Sequence, residues 1–363
     1  MSVPHEEKSD RFQRILRWIA VGDALGLACE GMGPKRIQSW FSLEKFSIFG
    51  PGRRGVISDD TEQSALVLQC LLKAKRTARS DGEFQEQAVR FFRRSLIGFL
   101  LRMPFGIGLG TLRAIVGLLF GRKHGVHSGG NGAAMRAAFM GVVVEDAGER
   151  RRIGEAIARL THTHPLAVAG ALWLAEMVSL CLKEERAVDE NGRRKMVESA
   201  CERLGNEEMK DAILAAICPQ NFEDSSVGQQ KEAQLSTRLP TSGFVLHSMP
   251  VVAQDFVLYG DRPLYSLRAC IRRGGDTDTH AAMLGALLGA MPKCEDEAEM
   301  QVLFHKILPG PFGPKHLDEL AAAAADDSIP IPNFSNLIGA VRNLLLMPVV
   351  LLHGFARLFP PYG

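Results

Sequence analysis

What this chain lacks narrows the field first. Its seven cysteines stand at 29, 70, 181, 201, 218, 270 and 294, and no CxxC pair occurs among them. The odd number and wide spacing argue against a disulfide framework or a zinc site and point to reduced thiols in a cytoplasmic protein. An excess of one charge is also missing. With 43 basic and 41 acidic residues the net charge is +2, which leaves no global field for nucleic acid. No basic stripe with interleaved aromatics is present, so no sequence-specific nucleic-acid partner is expected. Local clusters such as Arg150-Arg151-Arg152 read as solvated helix faces. Strand signals are scarce: Val142-Val143-Val144 stands without alternating runs around it. The polar start, Pro4-His5-Glu6-Glu7, lacks the basic and apolar regions of a secretory signal.

Long uninterrupted apolar runs are missing as well. Residues 96–120 are apolar but carry Arg102, Arg113 and five glycines, and residues 344–359 are interrupted by Pro348 and Gly354. A spanning helix needs about 20 predominantly apolar residues, so no transmembrane segment is expected. The second stretch is expected to pack on the body of the protein, with a membrane surface as the other reading.

What is present is helical spacing and an apolar content of 46%, ample for a core. Asp59 and Glu62 form a capping-box-like start, after which Ala65, Leu68 and Leu72 share one face. Residues 166–182 read as a second, buried helix, and residues 281–291 as a third, with Gly285 and Gly289 on one face. A glycine pair inside a helix costs propensity and is most simply explained by close approach of another helix. The Ala321 to Ala325 run fits a short helix. Residues 183–195 form a charged break and residues 219–240 a polar surface loop or insertion. The expected architecture is all-α, a compact helical bundle over residues 1–330, followed by an apolar tail over residues 331–363. A monomer is the default.

The chemistry-bearing residues fall in short segments. Ser58-Asp59-Asp60-Thr61 and Gly274-Gly275-Asp276-Thr277-Asp278-Thr279 each pack two carboxylates and hydroxyls in front of a helix. One such segment alone is an N-cap with favourable dipole charges. Two of them, brought together, would repel unless a cation neutralised them, and their hard oxygen ligands suit Mg²⁺, Mn²⁺ or Ca²⁺. That would make a two-metal hydrolytic site. Gly22-Asp23-Ala24-Leu25-Gly26, with Glu30 after it, places acids in an apolar run; alone, such acids read as capping or solvent-facing. Ser128-Gly129-Gly130-Asn131-Gly132 and Gly106-Ile107-Gly108-Leu109-Gly110 are glycine-rich segments entering helices. They are either ordinary turns or anion cradles, and two cradles would suit a diphosphate. In Thr161-His162-Thr163-His164-Pro165 no third nitrogen or sulfur ligand accompanies the histidines, so a zinc site is not expected. One histidine is either structural or reaches a ligand.

Taken in order, these segments, with Ser242-Gly243-Phe244-Val245-Leu246-His247-Ser248-Met249-Pro250, make the chain resemble the ADP-ribosylglycohydrolase family from about Gly22 to Gly289. The resemblance implies an all-α orthogonal bundle with a binuclear site for two Mg²⁺, replaceable by Mn²⁺. It implies ligands from Ser58, Asp59 and Asp60 on one side and from Asp276, Asp278 and Thr279 on the other. The family usually has Thr where Ser58 stands, and the hydroxyl is kept. Glu30 matches an acid that guards the site and takes part in catalysis. Gly106, Gly108, Gly110, Ser128, Gly129, Gly130, Asn131 and Gly132 match segments that hold diphosphate and ribose, and His162 matches a substrate contact. The expected function is metal-dependent hydrolysis of the bond between ADP-ribose and an acceptor, with Asp59 or Asp60 as base. The alternatives are a non-catalytic ADP-ribose-binding or crystallin-like member, and a two-metal hydrolase of another nucleotide-like substrate.

Overall fold

The described residues of the computed structural model, 5–47, 54–218, 239–333 and 335–356, contain helices and three isolated bridges but no strand. The all-α expectation holds. The helices are α1 (His5–Gly26), α2 (Pro34–Trp40), α3 (Asp59–Thr77), α4 (Asp81–Leu101), α5 (Leu109–Leu119), α6 (Ala138–Val143), α7 (Ala147–Arg159) and α8 (Pro165–Cys181). They continue as α9 (Glu190–Glu202), α10 (Glu207–Ala216), α11 (Val245–Tyr259), α12 (Pro263–Arg272), α13 (Thr277–Ala290), α14 (Glu297–His305), α15 (Pro314–Ala325) and α16 (Asn336–Ala356). The polar segment expected at 219–240 lies almost wholly outside the described residues. Val142 and Val143, the one strand-like signal, belong to α6.

The bundle is organised around α1 and α13, which run antiparallel with backbones nearly touching. A Cβ on Gly22 would lie 2.3 Å from the Ala281 carbonyl oxygen, and one on Gly285 would lie 2.4 Å from that of Trp18. This is the close approach that the glycines of the third helix implied. Both helices are buried along most of their length, so the pair is a central post and the other helices pack around it. α8, apolar on every side, is a second buried element. Its Glu176 is neutralised by Arg150 of α7 and by Arg203, which lets the carboxylate sit inside the bundle.

Two sequence-based details change. The N-cap of α3 is Ser58, whose hydroxyl accepts from the Asp60 N–H at 3.2 Å. Glu62 does not close a capping box: it turns away to pair with Arg102, its Oε1 accepting from Nε at 2.6 Å. A buried carboxylate gains more from a guanidinium than from a backbone N–H. In the tail, Pro348 does not interrupt α16, which runs through it. Pro348 is solvent-exposed, so the carbonyl it leaves unbonded one turn back can be hydrated.

Candidate active site

Three helix ends converge at one point. The C-terminal end of α1 brings Asp23; the N-terminal ends of α3 and α13 bring the two acidic segments. Asp23 is fully buried and takes the Ser58 N–H at 3.0 Å, the Thr61 N–H at 3.1 Å and the Thr61 hydroxyl. It therefore caps α3 from a neighbouring helix, where the dipole favours negative charge. The Thr277 hydroxyl donates to the Gly26 carbonyl at 2.7 Å, locking the start of α13 onto the end of α1. Gly274 and Gly275, at φ +78° and +77°, make the turn before it. These are left-handed conformations that a residue with a Cβ rarely adopts. The turn is fastened on both sides: Gly31 N donates to Gly275 O at 2.7 Å, and Asp276 N to Thr241 O at 2.8 Å.

One carboxylate oxygen each from Asp23, Asp60 and Asp278 lies within 4.8 Å of the other two. All three side chains are buried. Asp60 Oδ2 accepts from the Ser58 hydroxyl at 3.0 Å and the Thr279 hydroxyl at 3.2 Å. Asp60 Oδ1 and Asp278 Oδ1 have no hydrogen-bond partner. Buried carboxylate oxygens without donors are costly, and oxygens of this kind, crowded together, fit a hard cation. Burial first, and then the charge of neighbouring carboxylates, Asp23 on Asp59, Asp59 on Asp60 and Glu30 on Asp278 foremost, hold the Asp59, Asp60 and Asp278 carboxyls well above the ordinary range. Asp23 is pushed up to about 6 by burial, with the Thr61 and Ser58 hydrogen bonds pulling the other way.

The structure places the remaining candidates around this centre. Asp59 stands beside the trio: Oδ2 accepts from Gln63 at 2.8 Å, and a Cβ on Gly106 would lie 2.9 Å from Oδ1. Asp276 is half-buried and takes Asn131 Nδ2 at 2.7 Å. Glu30 is half-buried too, close enough to Asp278 for its charge to raise that carboxyl. The two glycine segments meet at His162, since Cβ atoms on Gly110 and Gly132 would lie 3.2 Å from its Nε2 and 3.0 Å from its Cε1. Gly129 and Gly130 are tied to the segment before α11, with Val245 N donating to Gly129 O at 2.9 Å, and Ser128 Oγ accepts from Gly130 N at 3.3 Å. Gly108 faces open space. His162 is buried, with Nδ1 2.8 Å from the Thr161 hydroxyl. Burial and the nearby Arg136 push its pKa down to about 3, which keeps the imidazole neutral.

Sequence reasoning underrated four groups. Asp23 reads in isolation as a capping acid, yet it is one of the central three; its only signal is an acid inside an apolar run. Arg136, fully buried, donates to Gln63 Oε1 at 2.8 Å and Gly132 O at 2.6 Å, joining the Asp59 side to the glycine loop. Ser248 links Asn131 Nδ2 and His280 Nε2, each at 3.0 Å. The one forewarning for Gln63 was its place one turn after the acidic segment.

Comparison with known proteins decides the family. A sequence profile described as ADP-ribosylglycohydrolase matches residues 4–296. The chain belongs to the ADP-ribosylglycohydrolase family. An Archaeoglobus fulgidus protein of uncharacterised function is 30% identical over 294 residues, covering 77% of this chain and 87% of that one. The ADP-ribosylhydrolase ARH3 of Gallus gallus is 27% identical over 325 residues, covering 77% and 84%. Among solved structures, an ADP-ribosylglycohydrolase-related protein complex shares the fold, with a TM-score of 0.57 at 20% identity, covering 88% of this chain and 98% of that one. Membership in this family makes the chain a glycohydrolase of ADP-ribosyl linkages in general class.

Proposed function

We propose that this ADP-ribosylglycohydrolase works with two divalent cations, Mg²⁺ or Mn²⁺, and hydrolyses the bond between the anomeric carbon of ADP-ribose and an acceptor, a protein side chain or a small molecule. The observation that carries the metal reading is the buried trio Asp23, Asp60 and Asp278, with its unpartnered oxygens at two converging helix N-termini. Asp60 and Asp278 would hold the cations, with Ser58, Asp59, Asp276 and Thr279 as further oxygen donors. Cations bound there would supply Lewis acidity to the ribose hydroxyls and ease ionisation of the attacking water.

The chain's own residues do the rest. Backbone N–H groups of the segment at 106–110 and those of Gly129 and Gly132 face the diphosphate, while those of Ser128, Gly130 and Asn131 hold the loop itself in place. Neutral His162, standing between those segments, offers a hydrogen bond without adding charge. Asn131 orients Asp276. Asp59 takes the proton of the attacking water with the oxygen on its Gly106 side, since Gln63 occupies the other. Glu30, half-buried beside Asp278, gates the site and carries a proton to or from the acceptor. Glycosidic cleavage passes through an oxocarbenium-like state, which the surrounding carboxylates stabilise. The seven free cysteines, five of them buried, support the cytoplasm as its compartment.

Calorimetry with ADP-ribose in Mg²⁺ and then in EDTA tests the site, and chromatography of products from ADP-ribosylated substrates tests the reaction. Metal-dependent binding and release of free ADP-ribose are expected. Unchanged turnover in Asp59→Asn or Asp60→Asn would sink the assignment, and release of inorganic phosphate would move it to another hydrolase class.

A further inference from the structure

The C-terminal helix α16 is amphipathic the wrong way round for a helix packed on a soluble body. Its polar residues hold it to the protein. Asn336 Oδ1 accepts from Arg102 at 2.7 Å, Asn343 Nδ2 donates to the Arg102 carbonyl at 2.8 Å, and His353 Nε2 lies 2.8 Å from the Ala28 carbonyl. Its apolar residues face outward. Leu337, Ile338, Leu344, Leu345, Leu352 and Phe355 are between 58% and 73% exposed, and their spacing places them on one helical face. The segment Asn336–Phe355, 20 residues long, contains an 18-residue window with a mean hydropathy of 1.7, long and apolar enough to cross a membrane by length and composition, yet only 11% of that window is buried. The hydrogen bonds at both its ends lay it along the body instead.

α4, which packs against α16, and α5, which packs against α4, carry exposed apolar residues as well. At the end of α4, Leu101 is 63% exposed; on α5, Leu109 is 68% and Phe120, just past its end, 85% exposed. An apolar surface of this extent marks an interaction site. Past Glu86, the two stretches of sequence that carry it hold basic residues and no acid. Residues 87–144, which contain most of α4 and all of α5, have no Asp or Glu, and residues 328–363, which contain α16, have none either. Arg90, Arg94, Arg113, Arg122 and Lys123 in the first stretch are exposed. A second copy of the chain would set arginines against arginines across a two-fold contact. An anionic lipid surface satisfies both features: leucines and phenylalanines enter the acyl boundary while the basic rim meets the headgroups.

We infer that the α4–α5–α16 face of this protein docks on an anionic lipid bilayer, with α16 lying in the plane of the interface. α16 runs from Arg102, beside the loop that carries Gly106, to Ala28, beside Glu30. The docked face therefore borders the acidic site and presents it to acceptors held at the membrane.

The test is flotation of the full chain with vesicles of phosphatidylcholine alone and of phosphatidylcholine mixed with phosphatidylserine. Wild type should float with the mixed vesicles, less with the neutral ones, and less again in high salt. Leu345→Asp/Leu352→Asp changes two exposed side chains, so circular dichroism and the melting temperature should match wild type. Its partition onto mixed vesicles should fall by about a hundredfold or more, from the lost burial of two leucines. Arg94→Glu/Arg113→Glu should weaken binding to mixed vesicles while leaving the residual binding to neutral ones. Failure of wild type to float, or flotation of the Asp variant equal to wild type, would overturn the inference. So would a dimer on size exclusion that the Asp variant breaks, with no flotation, since the face would then belong to a second copy.

Discussion

Asp278→Asn should have opposite effects on the metal-free and metal-loaded protein, and that opposition tests the whole electrostatic argument. The change keeps the shape of the side chain and removes one of three carboxylates whose oxygens lie within 4.8 Å of one another. At that separation, with an effective dielectric of about 20, each ionised pair costs about 3 kcal/mol. The ordinary carboxylate pKa in the unfolded chain is about 4, whereas Asp23 folds with a value of about 6 and Asp60 and Asp278 well above the usual range. Groups raised in this way support folding while protonated. That support is complete below about pH 4 and is lost as pH rises through the folded values. Without metal, wild type gains repulsion as these groups ionise with rising pH, and Asp278→Asn, which removes two of the three pairs, should relieve up to about 6 kcal/mol of it, or roughly 8 °C in melting temperature for a chain of this size. A divalent cation removes the same repulsion in wild type, so Mn²⁺ should raise its melting temperature strongly at about pH 8 and much less at about pH 5, where protons compete for the oxygens. In Asp278→Asn the Mn²⁺ shift should nearly vanish. Differential scanning fluorimetry in EDTA and in Mn²⁺ at both pH values measures all of this. If the variant destabilises the metal-free protein, or responds to Mn²⁺ as wild type does, the trio is not a repulsive cation site and the reasoning fails.

Arg102→Ala leaves Glu62 buried without its cation and should cost about 3–5 kcal/mol in urea denaturation; a loss below about 1 kcal/mol would show that Glu62 is protonated in the native state. Gly22→Val drives a side chain into the Ala281 backbone and should destabilise by about 3 kcal/mol or more, whereas Gly108→Ala, with nothing near its added Cβ, should stay within about 0.5 kcal/mol of wild type. His162 folds with a pKa of about 3 against about 6.5 when unfolded. It therefore lowers stability as pH falls below about 6.5, by up to about 1.4 kcal/mol per pH unit. In His162→Gln the acid limb of the stability curve should be shallower by that amount, and an unchanged slope would mean that the imidazole is protonated in the fold.

The parts of this protein legible in its sequence are those that local chemistry dictates. Helical spacing without alternating runs implied an all-α chain. Gly285 and Gly289 inside an apolar helix implied a touching partner, and two acid-hydroxyl segments in front of helices implied a site of hard oxygens. Each is a property of a few neighbouring residues, so tertiary structure had little to add. Asp23 was not legible in this way, because a lone acid in an apolar run looks the same whether it caps its own helix or a neighbour's. Only the antiparallel contact of α1 with α13 brings it to Asp60 and Asp278. Nor does sequence separate Asp59 from its neighbour Asp60, although Gln63 and Gly106 draw the first to one side and Ser58 and Thr279 hold the second at the centre. The orientation of α16 is the clearest case. Its composition describes an apolar tail, and apolar tails ordinarily turn their leucines inward. Which way the helix faces was decided by Arg102, Ala28 and the polar side chains that reach them, contacts across more than two hundred residues that no local pattern encodes.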